Sequence, residues 1–374
     1  MITSRSITTL IEKHVQGFDA ISVIPLINLQ PALSKTLQIM DNGLVPETYS
    51  WTKEKTGYAY RYKNYSRWAK SIIVAAKYYY TDEKFPETPG FGRIARFTWR
   101  NNYRYLTMKL LESIELIKEK KGGAVLSKVL SNYTSIPEKV LFRYSGLADL
   151  GKNGVLISRN MGSLFSIGEA FIDLEIDFEN ELYLSPPNFS ICSTCNLCKA
   201  ACPTTAIIED GKININRCFQ YLSENLVLIP HKFREKWGER LYGCTTCLDV
   251  CPYNKRLEPW AEKHDIGFIG TGIDLIEALN MSQSKWIRKF SNNQLGIMDR
   301  SAVLKNAILA IGCMKYKKAL DSLYPYLNHQ NEIIRAYTVW GIGKIHSSTG
   351  LKKLNSRYKV EESPLVKSEI EFFL

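Results

Sequence analysis

The residues whose types and spacing most restrict what this chain can do are cysteines, and eight of its nine lie between Cys192 and Cys251. The first run is C-x2-C-x2-C-x3-C-P, made of Cys192, Cys195, Cys198, Cys202 and Pro203. The second is C-x2-C-x3-C-P, made of Cys244, Cys247, Cys251 and Pro252. Thiolates at these separations wrap a cubane in a tight loop, while the last cysteine of each run faces the other cluster. Two clusters need eight thiolates, and Cys218, between the runs, completes the set. The crossed pattern assigns Cys192, Cys195, Cys198 and Cys251 to one [4Fe–4S] cluster, and Cys202, Cys218, Cys244 and Cys247 to the other. A four-cysteine zinc site and a disulfide framework are the alternatives. The two Cys-Pro dipeptides and the cysteine handed across favour iron–sulfur. Cys313 sits in an apolar helical pattern and reads as a core residue.

At 374 residues the chain has length for two or three domains. Its 45% hydrophobic and 23% charged content is that of an ordinary globular protein. No apolar run reaches membrane-spanning length, and Met1-Ile2-Thr3-Ser4-Arg5 does not open a signal peptide. The expected location is therefore the cytoplasm, with no membrane partner, where thiols stay reduced. The net charge of +12 fits an anionic partner. Part of it has a local use, because Lys199, Lys212, Arg217 and Arg240 lie in the cluster segment, where cations offset thiolate-ligated clusters.

The elements that must position this segment lie on both sides of it. Thr8 to His14 is helix-like, and Ala20 to Ile24 and Ser71 to Ala76 read as strands. Trp51, Tyr58, Tyr60, Tyr62, Tyr65 and Trp68 form an aromatic section better suited to a core or cofactor pocket than to nucleic acid. Pro86, Pro89, Gly90 and Gly92 mark a loop. A helix is expected from Tyr103 to Lys121, stopped by Gly122-Gly123. Gly151-Lys152-Asn153-Gly154 is a turn whose backbone must approach something closely, and it lacks the pattern of a phosphate loop. Leu304 to Gly312 is echoed by Arg335 to Gly343 at an offset of 31 residues, as in stacked helical repeats. From Arg300 to Leu374 there are twelve Lys or Arg against six Asp or Glu, a basic surface suited to an RNA backbone.

Taken together, these stretches resemble the epoxyqueuosine reductase family. The likeness rests on Ser71-Ile72-Ile73 with Tyr78 to Tyr80, Arg96-Phe97 with Arg100 to Arg104, Gly146-Leu147 with Gly151-Lys152-Asn153, and Gly162-Ser163 with Gly168-Glu169. It is closest in the cluster module, from Arg217-Cys218 to Cys251-Pro252-Tyr253-Asn254. The resemblance implies an α+β protein in three parts. These are a nitroreductase-like, cobalamin-binding α/β domain (1–180), a two-cluster ferredoxin-like module (181–260) and a HEAT-like helical region (261–374). It also implies base-off cobalamin held beside Arg96, Tyr103, Gly151, Lys152 and Asn153. The expected partners are an external low-potential electron donor and tRNA, bound through the basic C-terminal region, and the chain is expected to be a monomer.

The chain departs from the family at the proton donor. Family members carry an aspartate about twenty residues before G-K-N, and a count without gaps puts Asn132 in that slot. An amide cannot protonate a leaving group. Tyr133, adjacent to it, and Asp149, in the turn before G-K-N, are the donors the sequence offers. The departure keeps two other activities in view, a corrinoid reduction of the reductive dehalogenase kind and a non-catalytic corrinoid-binding electron carrier.

Overall fold

The computed structural model describes residues 3–47, 52–61, 67–132, 136–178, 190–259 and 263–374. Trp51, Tyr62, Tyr65 and Tyr133 lie outside the described residues. By contacts the chain divides into two compact units. The first comprises Met1–Asp82, Asn101–Asn216 and Thr246–Ile266; the second comprises Glu83–Arg100, Arg217–Thr245 and Gly267–Leu374.

The first unit is built on a four-stranded antiparallel sheet in the order Ala20–Pro25, Ser71–Tyr78, Phe165–Ile172, Ser127–Leu130. Ser71–Tyr78 is an unbroken apolar run up to Lys77 because both of its faces are covered. Ile72, Val74 and Ala76 join one core with Ile167 and Phe171. Ile73 and Ala75 join another with Leu106, Leu110, Ile114 and Ile117 of the helix Asn102–Lys121. The Asn101 side chain caps that helix by accepting from the Arg104 N–H at 3.0 Å, and Gly122 ends it in the left-handed conformation at φ 71°. The other face is covered by helices Gln30–Asp41, Lys53–Tyr60 and Glu138–Arg143. Tyr60 and Trp68 of the aromatic section pack into this core, while Tyr58 is exposed.

The second unit is mainly helical. The segment around Pro86–Gly92, read from sequence as a loop, contains the strand Phe91–Ile94. That strand pairs in parallel with Arg240–Tyr242 and antiparallel with Gly272–Asp274. Gly92 belongs inside it because a Cβ there would meet the Cβ of Leu241 at 2.7 Å. The echoed segments are the buried helices Arg300–Cys313 and Glu332–Ile345. Their glycines repeat a packing device as well as a sequence. A Cβ on Gly312 would meet the Trp340 ring at 2.5 Å, and one on Gly343 would meet the Phe373 ring at 2.4 Å. Each glycine makes room for an aromatic ring from a later element.

A carboxylate secures the end of this helical array. Glu361 accepts from Arg335 at 2.9 and 3.0 Å, from Arg357 at 2.6 Å and from the Ser363 N–H at 3.0 Å. Burial alone would raise its pKa, but these hydrogen bonds and the arginine charges hold it at about 2, against an ordinary 4.5. A depressed carboxyl contributes stability that is complete above its unfolded value and is lost as pH falls toward the folded one. The contribution at neutral pH is about 3 kcal/mol. Glu361→Gln is therefore expected to lower Tm at pH 7, with a gap to wild type that narrows as pH falls from 5 toward 2. Thermal melts across that range check it, and a gap independent of pH would refute the assignment.

Candidate iron–sulfur centre and adjoining cavity

Six of the cluster cysteines fall in the first unit. Cys198 is on the short helix Leu197–Ala201, and Cys202 follows it in extended conformation. Cys247 is on the helix Thr246–Asp249, and Cys251 precedes the helix Pro252–Lys255. The Cys-Pro dipeptides explain these conformations, because a proline pushes the residue before it into the extended region, and Pro252 also opens the helix Pro252–Lys255. Cys251 has φ −69° and ψ 125°, and Cys202 has φ −64° and ψ 114°.

The thiols of the first predicted ligand set converge. Burial pushes the Cys198 thiol up, and the nearby Cys192 and Cys195 add to the effect. Burial likewise pushes Cys251 up, against backbone N–H bonds from Tyr253 and Asn254, with Cys192 and Cys195 again adding to the rise. Cys192 and Cys195 thus lie near both Cys198 and Cys251, an arrangement in which metal binding would favour the deprotonated thiols. Cys202 differs, since burial raises its pKa but N–H groups of Thr204 and Ala206 and the Thr204 hydroxyl lower it overall. The Ala206 N–H reaches its Sγ at 3.2 Å, a contact of the kind that tunes a cluster sulfur.

None of the nine cysteines is in a disulfide. Among the described residues, no three His, Cys, Asp or Glu side chains are grouped as ligands of a single metal ion. Cys313 ends the helix Arg300–Cys313 and is half-buried rather than fully buried, because the chain leaves the core there.

Cys218 and Cys244 fall in the second unit, where side chains fix them to one another's segments. Cys218 precedes the helix Phe219–Glu224. The Cys244 N–H donates to Gln220 Oε1 at 3.1 Å, and the Gly243 N–H donates to Ser223 Oγ at 3.0 Å. Gly243 has φ +78°, and a Cβ on it would meet that of Ala95 at 2.6 Å. The helical array holds both segments from behind. Asn306 Nδ2 donates to Ser223 O at 2.7 Å and Leu241 O at 2.9 Å, and the buried Lys305 ammonium donates to Leu222 O and Asn225 O.

Gly151-Lys152-Asn153-Gly154 forms the turn of a small hairpin, with Asp149-Leu150 paired to Leu156-Ile157. Asn153 shapes it by accepting from the Val155 N–H at 3.3 Å. Lys152 is buried, with Nζ 3.5 Å from Asn196 Oδ1 and 3.5 Å from Asp210 Oδ2. It therefore ties the turn to the first cysteine run, a link the sequence did not disclose. Asp149 accepts from Arg143 Nε at 2.6 Å and from its neighbour's N–H at 2.7 Å, which braces the hairpin. Tyr103 lies in the first turn of the helix Asn102–Lys121. Arg96 falls in the second unit, its guanidinium 4.7 Å from the Trp99 ring centroid.

Two of these sequence landmarks reach one cavity of about 530 Å³ in the first unit, whose walls include Thr56, Tyr60, Asn132, Glu138, Leu150 and Gly154. Asn132 is in the left-handed region at φ 57°, which asparagine tolerates better than most residues. Leu150 and Gly154 flank the G-K-N turn. Behind the wall, Glu169 on Phe165–Ile172 is completely buried. Its carboxyl is pushed well above the usual range, by burial first and then by the Glu138 carboxyl. In sequence this residue appeared as part of the Gly168-Glu169 stretch that carries the resemblance and as an acid inside the run Phe165-Ser166-Ile167-Gly168-Glu169-Ala170-Phe171-Ile172.

Comparison with known proteins agrees with this geometry. Residues 191–254 match a 4Fe-4S double cluster binding domain. The chain is 28% identical over 312 residues to the epoxyqueuosine reductase of Bacillus subtilis, spanning 81% of this chain and 78% of that protein. It is 26% identical over 275 residues to that of Staphylococcus aureus, spanning 73% and 70%. A crystal structure of epoxyqueuosine reductase with a tRNA-Tyr epoxyqueuosine-modified stem loop superposes with TM-score 0.81 at 25% identity, over 97% of this chain and 96% of that one. The enzyme from Streptococcus thermophilus shares the fold with TM-score 0.82 at 23% identity, over 98% of both chains.

Proposed function

We infer that this chain is an oxidoreductase of the epoxyqueuosine reductase kind, which reduces epoxyqueuosine in tRNA to queuosine with electrons passed through [4Fe–4S] clusters. The observation that carries the reading is the convergence of Cys192, Cys195, Cys198 and Cys251 inside a segment with a double-cluster pattern. Similarity to epoxyqueuosine reductases over most of the chain supplies the substrate. Eight thiolates suit two cubanes, which supply single electrons at low potential from an external donor.

Base-off cobalamin belongs to the same proposal. Gly154, at φ +73° beside the G-K-N turn, lines the cavity, where a Cβ on it would meet Ile213 Cγ1 at 3.1 Å. Gly151, Lys152, Asn153 and Tyr103 are the residues of this unit that would hold the cobalamin. When bound, it would supply a strongly reducing cobalt centre. Lys152, fixed by Asn196 and Asp210, keeps the turn in place against the cysteine run.

The division into nitroreductase-like, ferredoxin-like and HEAT-like parts at 1–180, 181–260 and 261–374 stands as part of this reading, as do a monomeric state and a cytoplasmic location. The repeated glycine-for-aromatic packing favours the HEAT-like description. Contact with the tRNA backbone is assigned to exposed lysines of the helical array, including Lys317, Lys318, Lys352 and Lys353. Arg335 and Arg357 are engaged by Glu361 and Lys305 is buried, so they do not serve that surface.

Asn132 in the acid slot favours one other reading, a corrinoid-binding electron carrier without turnover. Anaerobic purification with cobalamin, metal analysis and incubation with an epoxyqueuosine-modified tRNA stem loop separates the two. Queuosine formation supports the reductase, and cluster and cobalt loading without product supports the carrier. Tyr133→Phe and Asp149→Asn test the two proton donors offered by the sequence.

A further inference from the structure

The Glu169 carboxyl lies where an ionised group has no support. It is fully buried on the face of its strand that carries Ile167 and Phe171, opposite Val74 and Leu130 on the flanking strands. Among the described residues neither of its oxygens finds a hydrogen-bond donor. The polar group it meets is the carboxyl of Glu138, in the first turn of the helix Glu138–Arg143. Two carboxylates are acceptors only, so they bond to each other when one of them carries a proton. Burial in an apolar core keeps that proton in place at neutral pH.

Glu138 has a second exposure that Glu169 lacks, because it also lines the cavity reached by Asn132 and Gly154. An acid is needed there, and the amide of Asn132 cannot be one. We propose that Glu138 and Glu169 share a proton, and that Glu138 delivers it to the oxygen leaving the substrate in this cavity. The inference rests on the reductase reading above and names the catalytic acid of that site.

The step balances with the external low-potential donor of that reading. The oxirane accepts two electrons and two protons, both of its carbon–oxygen bonds break, a carbon–carbon double bond forms and the oxygen leaves as water. Glu138 protonates the oxygen as a carbon–oxygen bond breaks and becomes a carboxylate. That delivery spends the single shared proton and leaves both carboxyls ionised, so solvent entering the cavity supplies the second proton to the oxygen and a further proton that restores the pair.

The test uses the full chain with its clusters loaded, the stem-loop substrate and two readouts. Infrared spectra of wild type at neutral pH are expected to show a deuterium-sensitive carboxylic acid band that is missing from Glu169→Gln, whether or not cobalamin is bound. Glu138→Gln is expected to lower kcat about 10²- to 10⁴-fold, the range for loss of a general acid, with KM for the stem loop and iron content unchanged. Glu138→Asp is expected to recover part of the loss. Absence of the band in wild type would overturn the shared proton, and wild-type turnover in Glu138→Gln would overturn the delivery role while leaving the reductase reading intact. A wild-type chain that loads its cofactors but forms no queuosine would overturn both together. If Glu138→Gln fails to fold, Glu169→Gln decides by the same kinetics, since wild-type kcat in it would refute the sharing.

Discussion

Cys251→Ala is expected to cut the iron content of the anaerobically purified protein from about eight atoms per chain to about four, and to abolish reduction of epoxyqueuosine tRNA. Its thiol is buried and is raised in part by Cys192 and Cys195, which places it with the first cysteine run despite the distance in sequence. In the proposed ligand set its removal would open one corner of a cubane and leave an iron unligated. The electron path then loses a step that no neighbouring residue replaces. Cys313→Ala is the control, because Cys313 ends a helix of the second unit and its Sγ contacts Arg234 O at 3.2 Å. Its iron content is expected to match wild type. Iron and sulfide analysis with the visible spectrum decides the matter, and a Cys251→Ala protein retaining its full iron content would place the fourth ligand elsewhere.

The cluster segment was legible because cluster chemistry restricts residue type and spacing together, and residues 191–254 match a double-cluster domain, within which counting thiolates proposes Cys218 as the eighth ligand. The sheet was legible at Ser71–Tyr78 and Phe165–Ile172, where burial on both faces leaves an unbroken apolar run. The helical repeat was legible through Gly312 and Gly343, each admitting a ring from farther along the chain. Pairings whose partner is fixed only by the fold were not legible. Lys152 reads as a turn residue until Asn196 and Asp210 are seen beside it. Glu169 reads as an isolated acid in a strand until the helix Glu138–Arg143 brings a second carboxyl against it. Short strands fail for a similar reason. Phe91–Ile94 carries the glycine of a loop, and only the close approach of Leu241 shows why.

Glu369→Ala is expected to destabilise the second unit by about 3–5 kcal/mol, the cost of stranding a buried charge. Arg234 and Glu369 are almost completely buried, with Arg234 Nη1 at 2.8 Å from Glu369 Oε1 and His231 Nε2 at 3.0 Å from the same oxygen. Arg234 also donates from Nε to Ile229 O at 2.6 Å and lies over the Tyr337 ring, so the guanidinium cannot swing out to water without unpacking both. Alanine leaves this cation in the core without its counterion. The consequence extends to the cluster segment, because Trp237 follows Arg234 closely and packs edge-on against Phe219, the neighbour of Cys218, at 5.0 Å between ring centroids. Loosening the helix His231–Arg234 therefore loosens the segment that presents a cluster thiol. Calorimetry of the full chain is expected to show a transition lowered on the order of 10 °C. Iron should be lost on mild warming at a temperature wild type withstands. Glu369→Gln keeps the shape and one acceptor but not the charge, so its loss should fall between the two. A Glu369→Ala protein with wild-type melting and iron retention would show that Arg234 is held by Ile229 and Tyr337 alone, and that the C-terminal helix Pro364–Glu371 does not support the Cys218 segment.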